Sequence, residues 1–267
     1  SAKTGAGEPA MTDHIAVTIA DGIAEIRFDR AAKKNAITSD MYAALRDALL
    51  GCAVEDSVRV ILFTAAGDSF TAGNDLADFM APRPDASAGE LPVHGFLRAI
   101  ATAPKPLIAA VRGNAVGVGT TMLLHCDLVV ASETARLQVP FVNLGLVPEA
   151  ASSLLLPRLI GHQRASAMVL LGEALDAATA LAAGLINRVV PDADLETVAR
   201  ELAAKIAAKA PTAVRLAKAL LKGDPAPTLA RMDAEGVHFA AQLKSAECRE
   251  AITAFYEKRA PDFSRAA

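Results

Sequence analysis

Residues 105–127 read Lys105-Pro106-Leu107-Ile108-Ala109-Ala110-Val111-Arg112-Gly113-Asn114-Ala115-Val116-Gly117-Val118-Gly119-Thr120-Thr121-Met122-Leu123-Leu124-His125-Cys126-Asp127. The apolar run Leu107–Val111 has the length and composition of a buried strand, and it ends in a glycine-rich turn at Gly113, Gly117 and Gly119. From Thr120 to His125 the pattern predicts a helix. The first turn of a helix carries backbone N–H groups without intrahelical partners and a partial positive charge, so this strand, turn and helix start can hold an anion or a developing oxyanion. A dinucleotide site would need Gly-x-Gly-x-x-Gly after a first strand, and a phosphate loop would need Gly-Lys-Ser/Thr. The order Gly113-x-x-x-Gly117-x-Gly119 matches neither, and no lysine follows Gly119. An oxyanion site for a carbonyl compound and a plain strand-to-helix turn both remain open on this stretch alone.

Composition narrows the classes. A chain of 267 residues that is 52% hydrophobic can bury a substantial core, as one large domain or as a domain with a helical appendix. Its 27 basic and 30 acidic residues leave a net charge of −3, which gives no nucleic-acid footprint. No apolar run approaches the length of a membrane span. Cys52, Cys126 and Cys248 are odd in number and far apart, which argues against a disulfide framework and fits a reducing, cytoplasmic setting. The five histidines form no His-Glu-x-x-His pattern or close pair, so no metal site is expected. Residues 1–10 are small and polar, precede Met11, and are expected to be a tag or leader outside the fold.

Along the chain, residues 15–19 and 23–28 alternate around Asp21-Gly22 and predict a β-hairpin. Thr38, Ser39 and Asp40 are N-cap candidates for a helix whose apolar positions are Met41, Leu45, Ala48, Leu49 and Cys52. Residues 58–64 predict a buried strand, residues 78–94 a loose loop or broken helix rich in proline, and residues 93–101 a helix. After the central turn, strands are expected at 128–131 and 135–139, then a loop over 140–153 that holds a single acid, Glu149. Helical patterns follow at 152–160, 162–171, 176–183, 194–209, 211–222 and 226–257, interrupted only at 185–190. The chain is thus α/β first and helical last, without a linker between independent domains.

Three stretches then carry a family resemblance: Phe70-Thr71-Ala72-Gly73-Asn74-Asp75-Leu76, residues 105–117, and Asp127-Leu128-Val129-Val130-Ala131-Ser132. With Ala177 to Val190 and the ending Phe255-Tyr256-Glu257-Lys258-Arg259, they resemble the crotonase (enoyl-CoA hydratase/isomerase) superfamily, in order, over roughly residues 15–263. The resemblance implies a spiral of repeated strand–strand–helix units over residues 11–200 and a helical trimerisation region over 201–267. It also implies an acyl-CoA thioester as substrate, with no separate cofactor, and assembly as a homotrimer or a dimer of trimers. Two backbone N–H groups hold the thioester oxygen in this family, and the matching positions are Asn74 and Val118. Preorganised donors of this kind stabilise negative charge that builds on oxygen when a proton leaves the neighbouring carbon. The positions that would line the acyl-CoA site by the same resemblance are Lys34, Asn35, Ala36, Ala72, Gly73, Asp75, Leu76, Gly117, Thr121, Pro140, Phe141, Leu144 and Lys258. Lys33 and Arg259 are further basic candidates for the CoA phosphates, with solvated charge as the alternative for all the basic residues.

The departures from the pattern redirect the chemistry. Hydratases of the family resemble one another in two glutamates, and here those positions hold Thr121 and Phe141, neither a general base near neutral pH. The segment Leu144-Gly145-Leu146-Val147-Pro148-Glu149-Ala150-Ala151-Ser152-Ser153 is instead similar to the peroxisomal type of Δ3,Δ2-enoyl-CoA isomerase, in which the glutamate after proline is the base. That role carries over to Glu149, whose apolar neighbours would raise its proton affinity. A helix-capping role for Glu149 is the competing reading. Asp75 is a second candidate base but is expected to fix its own loop, and Asp127 and His125 are expected to be structural. Residues 78–94 and an apolar wall of Phe79, Phe96, Phe141 and Leu144 would set acyl-chain length. The resulting expectation is a proton shuttle that moves a 3-enoyl-CoA double bond to the 2-position. Hydration, thioester hydrolysis, decarboxylation and CoA binding without turnover are the alternatives.

Overall fold

The computed structural model describes residues 14–81 and 90–265, so the leader and most of the proline-rich stretch lie outside the described residues. The hairpin forms as expected, β1 (Ile15–Ala20) against β2 (Ile23–Phe28), turning at Asp21 and Gly22, both with positive φ. Helix α1 (Ser39–Val54) follows, with the Thr38 hydroxyl accepting the Met41 N–H as its N-cap. Next come β3 (Val60–Ala65), α2 (Leu76–Met80) and α3 (Pro92–Ala101).

The central stretch gives β4 (Leu107–Val111), then β5 (Asn114–Val116), then α4 (Val118–Thr121), which tightens into a 3-10 turn at Met122–His125. Two points differ from the expectation. The helix starts at Val118 rather than Thr120, and Asn114–Val116 is a strand that three residues are too few to announce by periodicity. Strands β6 (Leu128–Ser132) and β7 (Arg136–Gln138) follow, then α5 (Ser152–Ile160), α6 (His162–Leu170), β8 (Leu175–Asp176), α7 (Ala177–Ala182) and β9 (Arg188–Val190).

Two sheets result. One runs β1-β2-β3-β4-β6-β9, parallel after the first hairpin, and the other runs β5-β7-β8. The units β4–β5–α4 and β6–β7–α5 each place one strand in each sheet before a helix. After β3 the chain does the same with one residue, since Thr71 bridges Ala115 ahead of α2. This is the repeated strand–strand–helix spiral of the crotonase fold.

The middle strands are apolar on both faces because both faces are covered. Val60, Leu62, Ile108, Ala110 and Val130 pack on Leu195, Ala199, Leu202 and Ala203 of α8 (Leu195–Ala207), while the opposite faces join the main core. The boundary drawn at residue 200 falls inside α8. Then come α9 (Pro211–Lys222), α10 (Ala226–Leu243) and α11 (Ala246–Glu257). The helix expected over 226–257 is therefore two. Ser245 breaks it, because its hydroxyl accepts the Cys248 N–H and caps α11, a competing local bond that apolar spacing does not register.

Polar side chains fasten the quoted stretch at both ends. Buried Lys105 donates to the carbonyls of Cys52 and Glu55, each at 2.6 Å, and so satisfies the C-terminal end of α1. Asp127 accepts the Leu107 N–H at 2.7 Å and pairs with Lys218 of α9 at 2.8 Å, which makes it structural.

Candidate active site

Two turns meet beside the second sheet. The Thr71 N–H donates to the Asn114 carbonyl at 3.1 Å and the Val116 N–H donates to the Thr71 carbonyl at 3.0 Å, so residues 71–74 run alongside residues 114–118. The fit is close. A Cβ on Gly73 would lie 2.8 Å from the Val116 carbonyl oxygen, and Gly73 has φ 87°. Asn74 and Val118 each directly follow a glycine of positive φ, Gly73 and Gly117. Among the described residues, neither the Asn74 nor the Val118 N–H has a hydrogen-bond acceptor. Two free backbone donors at adjacent turns are what an oxyanion requires.

Asn74 lies where two cavities meet, for it and Phe239 line both. The first cavity, of about 570 Å³, runs between α1, α3 and α10 and is walled by Leu91, Val93, Leu97, Met232 and Val237, with Glu149 and Tyr42 inside it. The second, of about 420 Å³, is lined by Ala72, Gly73, Leu76, Gly117, Pro140, Phe141 and Leu144, and reaches Phe255 and Arg259 at the end of the chain's last long helix. Lys34, Asn35, Ala36, Val118, Thr121 and Lys258 line neither cavity. Asn35 is buried and its amide donates to the Ala66 and Ser69 carbonyls, holding the loop that carries Lys34. Lys34 pairs with Asp68 at 2.7 Å in an exposed position, and Lys258 is exposed at the left-handed C-cap of α11. Phe96 belongs to the core and lines neither cavity, which corrects its place in the acyl wall; the Phe79 side chain lies outside the described residues.

Glu149 is 8% exposed, and its Oε1 has no hydrogen-bond partner. Burial first, and the negative charge of Glu235 second, push its carboxyl up to about 8. The capping reading of Glu149 fails on the structure. Helix α5 has no side-chain cap of its own, and the carboxylate at its start is Glu235 of α10, which accepts the Ala151 N–H at 2.7 Å and the Ser153 N–H at 2.9 Å. The other acids of the first cavity are engaged. Asp75 pairs with Arg30 at 2.7 Å and caps α2, and the Arg30 hydrogen bond holds it below the usual carboxylate range. Asp78 accepts from the Ser39 N–H and hydroxyl, and Asp233 pairs with Arg98.

Tyr42 is a residue of this site that carried no signal in the sequence. The Tyr42 hydroxyl donates a short hydrogen bond to the Asn74 side-chain oxygen, tying α1 to the turn, and burial, with Glu149 and Asp78 nearby, keeps the phenol well above its usual value. Tyr42 sits between Met41 and Leu45 in an apolar stripe, where nothing local distinguishes it from core. Thr121 Oγ1 and Ser152 Oγ are, with Glu149 Oε1, buried polar atoms without partners. Among the described residues no three His, Cys, Asp or Glu side chains cluster as metal ligands, and no helix is long and apolar enough to cross a membrane.

Comparison with known proteins agrees with this architecture. The family model described as enoyl-CoA hydratase/isomerase matches residues 18–266. The chain is 36% identical to enoyl-CoA delta isomerase 2 of Rattus norvegicus over 258 residues, which are 95% of this chain and 66% of that protein. It is 34% identical to 1,2-epoxyphenylacetyl-CoA isomerase of Escherichia coli K12, covering 95% of this chain and 99% of that one. Among solved structures, an enoyl-CoA hydratase/isomerase from Pseudoalteromonas atlantica T6c superposes with a TM-score of 0.91 at 45% identity, over 94% of this chain and 100% of that chain.

Proposed function

The chain belongs to the enoyl-CoA hydratase/isomerase family of acyl-CoA enzymes, and from that premise we propose that it shifts the double bond of a 3-enoyl-CoA to the 2-position. In this reading the thioester carbonyl sits at the junction of the two cavities, with the acyl chain in the first and the pantetheine arm in the second. The Glu149 carboxylate removes a proton from C2. Negative charge moves to the thioester oxygen, where the N–H groups of Asn74 and Val118 hold the dienolate. The protonated Glu149 then delivers the same proton to C4. No water is added, so a single acid suffices.

The observation that carries the reading is a buried carboxyl with a free oxygen, in a cavity where every other acid among the described residues is paired or hydrogen-bonded; by the family resemblance, Thr121 and Phe141 stand where hydratases carry their two glutamates. A carboxyl that titrates near 8 can both take and return a proton at neutral pH. The test is Glu149→Gln assayed on a 3-enoyl-CoA. Turnover is expected to fall by about 10²–10⁴-fold with little change in substrate affinity. A loss smaller than about tenfold would remove Glu149 as the base, and faster hydration of crotonyl-CoA than isomerisation by the parent would replace the reaction. Assembly as a homotrimer or dimer of trimers is proposed with it.

A further inference from the structure

The two residues after Glu149, Ala150 (φ 58°) and Ala151 (φ 57°), both adopt the left-handed region, and both are buried. Side chains with a Cβ populate that region sparsely, and a consecutive pair persists only where surrounding groups hold it. Two buried groups bond to it. His125 Nε2 donates to the Ala150 carbonyl at 2.9 Å, a direction fixed because a carbonyl oxygen can only accept. Glu235, on α10, accepts the Ala151 N–H and the Ser153 N–H on separate oxygens, and the Ser153 hydroxyl as well. Arg231, one turn earlier on α10, donates to that hydroxyl at 3.2 Å. The backbone leading out of Glu149 is therefore set by a helix that arrives more than eighty residues later.

We propose that Glu235 is a positioning residue for the reaction: it locks the left-handed pair Ala150–Ala151 from α10, so aims the Glu149 carboxyl into the cavity, and its negative charge acts on that same carboxyl. The proposal rests on Glu149 as the base. A helix cap needs only acceptors, and a neutral side chain with an amide oxygen supplies part of that. A second buried carboxylate beside the base does more, since like charge disfavours ionisation and strengthens Glu149 as a proton acceptor once it is ionised.

The other titratable groups around Glu149 do not duplicate this effect. Tyr42 of α1 is held above its usual range and His125 of the 3-10 turn down to about 4, so both are neutral from about pH 5 to 9. Arg98 of α3 is paired with Asp233 of α10, and Asp78 of α2 is bonded to Ser39. His94 of α3 lines the same cavity, and an imidazole ordinarily titrates near neutrality, so the measurement is repeated in a His94→Gln background.

The experiment uses the full chain as parent, Glu235→Gln, Glu235→Asp and Glu149→Gln. Turnover of a 3-enoyl-CoA is followed from pH 5 to 10, and the ionisation of Glu149 is read independently as the infrared carboxyl band that Glu149→Gln abolishes. In Glu235→Gln both the band and the rising limb of kcat are expected to move to lower pH. The plateau of kcat should fall about tenfold or more while KM changes less than about threefold, as for a displaced catalytic group. Glu235→Asp keeps the charge but withdraws it by one methylene, so its kcat should fall with the midpoint near that of the parent. A Glu235→Gln protein that loses only thermal stability, with band, pH limb and kcat in place, overturns the proposal. Should Glu235→Gln fail to fold, an unchanged kcat in Glu235→Asp overturns it equally. If Glu149→Gln keeps its turnover while the band still moves in Glu235→Gln, the base assignment falls and the coupling stands; an inactive Glu149→Gln with an unmoved band is the reverse.

Discussion

Burial keeps Glu149 protonated further up the pH scale than an ordinary carboxyl, about 8 against 4.5, and this makes the Glu149 side chain a load on the fold. Between those values the folded chain holds a proton that the unfolded chain releases. Its contribution is therefore fully present below about pH 4.5 and is lost as pH rises through about 8. Glu149→Gln, which has no charge to bury, should match the parent in thermal midpoint near pH 5 and exceed it at pH 9, by an amount of order a few kcal/mol at most. Thermal melts of the two proteins across that range check the sign, and a variant that is less stable at both ends would contradict it. Tyr42 is the second residue whose chemistry shows only in three dimensions. Tyr42→Phe strands the Asn74 side-chain oxygen, at a cost of about 1 kcal/mol. If the bond steadies the oxyanion turn, kcat should fall several-fold at nearly constant KM.

Among the elements, the short ones carry the site. Helix α4 is four residues long and β5 three, yet they supply one free N–H and the edge on which the other turn rests. Gly73→Ala tests that contact. Its Cβ would sit 2.8 Å from the Val116 carbonyl oxygen at φ 87°, so the two turns must part, and turnover should fall by about 10²-fold, the usual consequence of losing one oxyanion donor. Helix α11 borders the second cavity through Ala251 and Phe255, and its N-cap lies at the opposite end from Phe255. Ser245→Ala removes its N-cap and should cost about 1 kcal/mol in denaturant unfolding.

At the scale of the whole molecule, α9 buries one lysine and leaves its leucines exposed. Lys218 is buried against the Lys105 carbonyl and Asp127, and Lys222 donates to the His125 carbonyl, while Leu216, Leu220 and Leu221 are 60%, 84% and 88% exposed. A helix packed this way leaves an apolar face in water, which the proposed assembly of identical chains would cover. Sedimentation should give a mass of three or six chains, and Leu220→Asp with Leu221→Asp should lower it; a parent that sediments as one chain would rule the assembly out.

Much of this molecule is written locally in the chain. The hairpin at Asp21-Gly22, the buried strands, the Thr38 cap and the glycine-rich turn follow from alternation, apolar runs and residues suited to positive φ, and each can be read within a dozen residues. A lone acid after Pro148 was legible in the same way, whereas Asn74 and Val118 as donor positions came from the family resemblance, the glycine-rich turn by itself fitting a plain strand-to-helix turn equally well. Three-residue strands, the break at Ser245 and the neutral-looking Tyr42 were not, because a few residues carry no period and a phenol in an apolar stripe resembles core. Only the tertiary structure decided that Glu235, eighty-six positions after Glu149, caps α5 in its place and that His125 holds the next carbonyl. Those bonds join segments with no sequence relation, and their strength depends on burial, which the complete fold alone creates.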